Sequence, residues 1–493
     1  MKNLMIAAVF AVGIAAGAEA APTDAVTQAD LQALIQRITQ LEAQNKEQAA
    51  KIAELEGKAR PVAKAEKAPE VETDADEQGT TVDESGKVYK TKQGFKYYLA
   101  DAAKGIFEPL SENGLKITPY GYLVFEGVHN THGTEVDIYT DYIKRKSDIG
   151  YRDHTTVFSM QDSILGLQFD TPEAYKGWKV TGRAEFDLAG DHANDYAFHW
   201  RHLYFDLQNE EKGLSVLFGQ TWHLWKMVQP SEIDGAWMEN TGYPYRRSPQ
   251  IRVTKKWNWE DNGALELRAG LVKNGPGMGG DRDDNGTQDN SASAWALFEA
   301  AAIYTHKAVW QDAEDDNQGK TWLFGVGGQY GRDRSRRFLD EGEWGRNDDY
   351  NSEMVMFAGA VPFWRMTLTG QVFAGENLGG VQAGVGQRVA FADDFVGKGE
   401  EVTTVGGFLD LAYQISDDWS VAVGYGFDNP EIHRGRVGGT EGITHNDRAY
   451  ADVFYKIMPN FKIGLEYARL STKYIDEGTS HDDRIQFSAW YDF

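Results

Sequence analysis

The chain has 493 residues, a net charge of −25 and no cysteine, so it is too long for one ordinary soluble domain and has no disulfide framework to hold it. The negative charge argues against a nucleic-acid partner. Mean hydropathy is −0.53, and no apolar run outside the N-terminus approaches the ~20 residues of a spanning helix, a test that strands alternating between lipid and a polar interior escape.

Residues 1–20 read as a secretory signal peptide, with Lys2, an apolar stretch from Leu4 to Ala16 and the small-x-small site Ala18-Glu19-Ala20. Lys2 and Glu19 cancel, so the mature chain keeps its charge. Residues 21–57 predict a short α-helical coiled coil. Leu31, Leu34, Ile38, Leu41, Ile52 and Leu55 fall on a and d positions, with Asn45 and Gln48 filling the gap. A 3.5-residue spacing kept that long points to self-association, and a buried Asn fixes register. Residues 58–113 predict a periplasmic linker: the stretch to Gln93 is rich in Lys, Ala, Pro and acids and cannot bury a core, while Gly94 to Asn113 is apolar enough for a short helix.

Residues 114–493 predict an all-β transmembrane barrel of about sixteen antiparallel strands. The expected strands lie near 115–128, 156–170, 178–189, 196–208, 214–223, 248–257, 263–273, 293–306, 321–332, 351–362, 364–375, 402–416, 419–428, 447–458, 461–474 and 482–493. The stretch 293–306 could equally be helical. Connections alternate between short turns such as "NEEKG", "VPFW", "SDDW" and "MPNF" and long polar loops such as 129–153, 224–247 and 376–401. Short turns on one side and long loops on the other fit a membrane barrel, and an even strand count puts both ends on the short side. Ile251 and Val253 alternate with Arg252 and Thr254, and Leu265, Leu267 and Ala269 with Glu266 and Arg268, giving a lipid face and a wet face. Trp178, Trp257, Trp322, Trp364, Trp419 and Phe461 near strand ends suit an interfacial girdle.

The chain ends "DDRIQFSAWYDF", with Ile485, Phe487, Ala489, Tyr491 and Phe493 on one face and Arg484, Gln486 and Ser488 on the other. A terminal aromatic on such a strand resembles the C-terminal signal of bacterial outer-membrane barrels. That likeness makes Phe493, Tyr491 and Phe487 an assembly signal for the barrel assembly machinery. With the signal peptide, heptads and strands, and with "LKITPYGYLVFEG" and "QDSILGLQF" as opening strands, the chain resembles trimeric Gram-negative porins carrying an N-terminal coiled coil, the DcaP-like group. This resemblance implies a homotrimer in outer-membrane lipid, its coiled coil in the periplasm, and passive diffusion of small hydrophilic solutes. It also implies a third extracellular loop folded into the lumen.

Sixteen strands leave a channel too wide for side chains alone to fill. The third long connection, "LWKMVQPSEIDGAWMENTGYPYRRSP", carries Glu232, Asp234 and Glu239, then Arg246 and Arg247. With Arg183, Arg201, Arg252 and Arg268 from the strands, these are the candidate constriction and selectivity residues. The phase of Arg201 is ambiguous, because "HWRHLYFDL" reads either way. Converging arginines favour small anions such as carboxylates; equally, they pair with lumen acids such as Glu185, Asp187 and Glu266. The alternative from another class is a structural or adhesive barrel with a plugged lumen that tethers the envelope. No enzyme is expected. His199 and His202 should face opposite sides of a strand and could share an ion only across a bulge, no Ser sits in a nucleophile elbow, and no metal or cofactor is called for. "DRDDNGTQDN" resembles a surface calcium loop in composition only.

Overall fold

The computed structural model describes residues 80–82, 88–90, 114–172, 175–189, 196–259, 263–274, 295–307, 321–338, 344–390, 399–431 and 442–493. The signal peptide, the coiled-coil positions from Leu31 to Leu55, the expected helix in 94–113 and the stretch "DRDDNGTQDN" lie outside these residues. Within the segment read as linker, Thr80–Val82 and Val88–Lys90 pair antiparallel.

Seventeen strand segments among the described residues close into one antiparallel barrel. Two of them are halves of an interrupted strand, so the barrel has sixteen staves. They are β1 Lys116–Asn130, β2 Thr155–Ser159 with Ile164–Asp170, β3 Trp178–Ala189, β4 Tyr196–Asn209, β5 Leu214–Trp222, β6 Arg247–Asn258, β7 Gly263–Val272 and β8 Leu297–Lys307. The remainder are β9 Thr321–Phe338, β10 Trp344–Phe363, β11 Met366–Glu376, β12 Thr403–Gln414, β13 Trp419–Glu431, β14 Ile443–Met458, β15 Phe461–Tyr474 and β16 Gly478–Asp492. The ambiguous stretch near 293–306 is strand β8, with Phe298 exposed outside and Glu299 and Ala301 buried inside.

Closure falls where the terminal strand suggested. β16 pairs with β1 from Arg484↔Asn130 to Asp492↔Tyr122, and Phe493 extends the ladder through Phe493 N→Gly121 O at 3.0 Å and Gly121 N→Phe493 O at 3.2 Å. Ile485 and Phe487 are exposed on the outside, whereas Arg484, Gln486 and Ser488 are buried inside.

The outer face is apolar from stave to stave: Ile251, Val253, Leu267, Phe357, Val372, Leu409, Val423 and Leu465 are all exposed. An exposed apolar surface that runs around a whole barrel suits hydrocarbon rather than water. At the short-turn end, Trp364 stacks on Tyr413 and Trp419 on Tyr455 at 4.5 Å between ring centroids.

Two irregularities matter for the interior. β2 breaks at 160–163, where the Ser163 hydroxyl accepts a hydrogen bond from Val124 N at 3.0 Å and so replaces a ladder bond. The β3–β4 register shifts between Glu185↔His202 and Phe186↔Trp200, leaving Arg201 as an extra residue. Above this bulge Phe198 and Trp200 face out; below it Leu203 and Phe205 do. Both phases of "HWRHLYFDL" are therefore correct, one for each half of the strand. The bulge is also the condition under which His199 and His202 were expected to share a face: both turn inward, His199 to Asp187 and His202 beside Glu185.

Candidate functional site: a loop folded into the lumen

The third long loop, L3 (223–246), leaves β5 and turns into the barrel. Its root is fixed by burial. His223 Nδ1 lies 2.5 Å from Glu299 Oε1, His223 Nε2 sits 3.0 Å from Ser248 Oγ, and Glu299 Oε2 accepts from Leu224 N at 2.8 Å. The Ser–His–Glu order is that of a hydrolase triad. Here, however, Ser248 is 4% exposed, His223 1% and Glu299 0%, with Leu224 and Trp225 also fully buried. No substrate carbonyl can reach the Ser248 hydroxyl, and the group serves to aim the loop.

The middle of L3 docks on the opposite wall. Arg448 of β14 reaches three carboxylates: Glu232 at 2.5 Å, Asp234 at 2.7 Å and Glu466 of β15 at 2.6 Å. Arg484 of β16 adds Asp234 at 3.2 Å. Burial alone would push the Asp234 carboxyl up, but Arg484 and Arg448 outweigh it and hold it below its usual value. At Glu232 burial prevails over Arg448 and pushes the carboxyl up. Glu232, Asp234 and Glu466 are close enough together for a cation, yet Arg448 already bridges all three. Ser231 donates to Asp410 at 3.0 Å, and Asn240 O accepts from Asn446 at 2.9 Å. Met238 and Tyr243 pack with Phe408, Ala422, Tyr450 and Ala468. Trp237, Met238 and Asn240 have φ of +48°, +61° and +55°; three non-glycine residues in the left-handed region persist because the packing around them leaves no alternative. Gly242, at φ +113°, passes so close to β12 that a Cβ would lie 2.2 Å from Gly407 O.

Between root and dock, three rings gather. Trp222, Trp237 and Tyr245 lie 5.7–5.9 Å apart pairwise. Cations surround them: Arg247 is 4.4 Å from the Trp222 centroid, Lys226 is 4.3 Å from Trp222 and 5.6 Å from Trp237, and Arg201 is 6.0 Å from Trp237. Arg201 is neutralised by Glu185 at 3.0 Å and Asp187 at 2.7 Å. Among the described residues Arg247 has no acidic partner, and its Nη1 is buried without a hydrogen bond. A buried donor left unpaired is costly and marks a place where an anion or water belongs. Arg201 and Trp237 also border a cavity of about 680 Å³ beneath L3, lined on its acidic side by Glu126, Asp162 and Glu232.

The sequence-expected residues thus divide. Arg201 and Arg247 meet at the aromatic cluster. Arg183 lies over the Tyr120 ring at 5.1 Å and 3.7 Å from Glu185. Arg252 lies close to Arg268, Asp206 and Glu266, with its Nε buried and unbonded. Arg268 pairs with Glu266 at 2.6 Å and donates to Leu224 O at 3.1 Å. Arg246 turns away to Gly380 O of the sixth loop, L6 (377–402). Glu232 and Asp234 face the wall in ion pairs rather than the open lumen. Glu239 accepts from the Tyr245 hydroxyl at 2.8 Å, and burial, then Asp141, pushes its carboxyl up. Arg448, Lys226, Trp222 and Trp237 were not anticipated. The alternation of Arg448, Tyr450 and Asp452 with Ala449, Ala451 and Val453 marks Arg448 as inward, but nothing local names its partners.

The closed sixteen-stave barrel has a counterpart of the same fold among solved structures. The outer membrane channel DcaP of Acinetobacter baumannii superposes with a TM-score of 0.58 at 18% identity, covering 77% of this chain and 97% of that one. An anion-selective porin from Comamonas acidovorans gives a TM-score of 0.47 at 11% identity, covering 77% of this chain and 100% of its own. OprB of Pseudomonas putida gives 0.46 at 12%, covering 79% and 96%. No family model and no curated protein matches the chain.

Proposed function

We propose that this chain is an outer-membrane porin through which small hydrophilic solutes diffuse passively, with small anions, carboxylates among them, favoured at the L3 constriction. The observation that carries the preference is Arg247, whose Nη1 is buried without a hydrogen bond and which makes no ion pair among the described residues, beside Lys226, whose hydrogen bond goes to the neutral Gln229 at 2.9 Å. Guanidinium binds carboxylates through two parallel hydrogen bonds. The apolar outer face supports residence in the outer membrane, and the signal peptide supports export. Residues 21–57 are read as a periplasmic trimerisation coil, and Phe493 as the address for the barrel assembly machinery. The barrel acts as a diffusion channel rather than an enzyme.

The test is uptake into proteoliposomes of size-matched anionic, neutral and cationic solutes. Anions should enter fastest, and Arg247→Gln should erase most of their advantage. Equal entry of all three, unaltered in that variant, would remove the anion preference. No uptake at all would favour the plugged structural barrel.

A further inference from the structure

Lys226 lies on L3 just past its root, in the middle of the aromatic cluster. From β5 it meets the face of Trp222, and from its own loop the face of Trp237. From β6, Arg247 occupies the same Trp222; from β4, Arg201 approaches Trp237. Three cations therefore share two indoles. The carboxylates nearest the group, Glu185 and Asp187 on β3, are engaged by Arg201, and Glu239 of L3 is bonded to Tyr245. His202 of β4 faces the same space and lies 3.0 Å from the Thr221 hydroxyl. Arginine stays charged at any pH a protein tolerates, whereas lysine gives up its proton when buried among like charges.

We propose that Lys226 makes the anion preference of this pore adjustable by pH. With its proton the cluster presents a third positive charge; without it only the two arginines remain, one of them already neutralised by Glu185 and Asp187. The inference rests on the porin reading and names the regulation of the same constriction. Burial, then the neighbouring Arg247 and Arg201, push the Lys226 ammonium down to about 7. Its charge is present below that pH and lost above it. An unperturbed lysine, near 10.4, would stay charged across the same range.

The experiment is the reversal potential of the full-length protein in planar bilayers under a salt gradient, from about pH 5.5 to about pH 9, a window that spans the shifted but not the ordinary lysine value. One unit charge at roughly 5 Å in a water-filled lumen changes the partitioning of each ion about fourfold, in opposite directions for anion and cation. The anion-to-cation permeability ratio of the native pore should therefore fall on the order of 15-fold across the window. Lys226→Arg should keep the high ratio throughout, and Lys226→Gln the low ratio throughout. A flat native profile overturns the proposal while leaving the porin reading intact. So does a Lys226→Gln pore that keeps the native profile, since His202 or another group would then be titrating. A barrel that passes no current overturns both.

Discussion

Replacing Arg448 with Met should unseat L3. The guanidinium bridges Glu232, Asp234 and Glu466 at 2.5–2.7 Å with its side chain 1% exposed. Without it, three carboxylates share one wall with only Arg484 at 3.2 Å from Asp234. Removing one partner of a buried pair costs about 3–5 kcal/mol, because the other charge is left uncompensated. That shifts the docked-to-undocked ratio of the loop by roughly two to nearly four orders of magnitude. What remains are single hydrogen bonds of about 1 kcal/mol each, such as Ser231 to Asp410, Asn446 to Asn240 and Gln371 to Gly242 O, the Ile233 and Asp234 amides on Glu466, and the packing of Met238 and Tyr243. Single-channel recording of Arg448→Met should show larger and noisier openings, and limited proteolysis should cut within 223–246. Unchanged conductance, noise and protease resistance would refute the claim that this ion cluster holds the constriction.

Three further outcomes follow from the same geometry. Arg201→Gln leaves Glu185 with Arg183 at 3.7 Å and Asp187 with His199 at 3.1 Å as its nearest partners, so the reversal potential should move toward cations; no movement would mean these acids do not face the permeating ions. Deleting Phe493 removes the two backbone hydrogen bonds to Gly121, about 1 kcal/mol each. The folded fraction on heat-modifiable electrophoresis should fall, while surviving pores keep their native conductance. Gly242→Ala places a Cβ 2.2 Å from Gly407 O at a φ of +113°, a strain of about 1–3 kcal/mol. The variant should fold, yet its loop should be cut faster by protease than in the native barrel.

The staves were legible because a strand with lipid on one side and polar lumen on the other has to alternate, and "RIQFSAWYDF" does so with Trp490 the one apolar residue on its inner face. Loop lengths then gave the two ends of the barrel. The site was only half legible. Arg201 could not be phased because the bulge reverses the alternation in the middle of β4, and a local pattern carries no mark of where its partner strand slips. Glu232 and Asp234 look like lumen charges in sequence, and only their partners across the barrel, Arg448 and Glu466, show that they anchor the loop. The aromatic cluster draws Trp222, Trp237 and Tyr245 from the end of a strand and two parts of one loop, so no period or spacing connects them. Lys226 passed unnoticed for the same reason: its significance lies in being crowded by Arg247 and Arg201, which only the folded loop produces.

The central claim is an open, anion-preferring pore at the foot of L3, and one bilayer recording tests it most directly. Purified native protein added to one side of a planar membrane under a potassium chloride gradient should insert in discrete conductance steps, with a reversal potential of the sign that marks chloride as the more permeant ion. A membrane that stays silent, or steps that reverse at the potassium side and do not respond to Arg247→Gln, would contradict it.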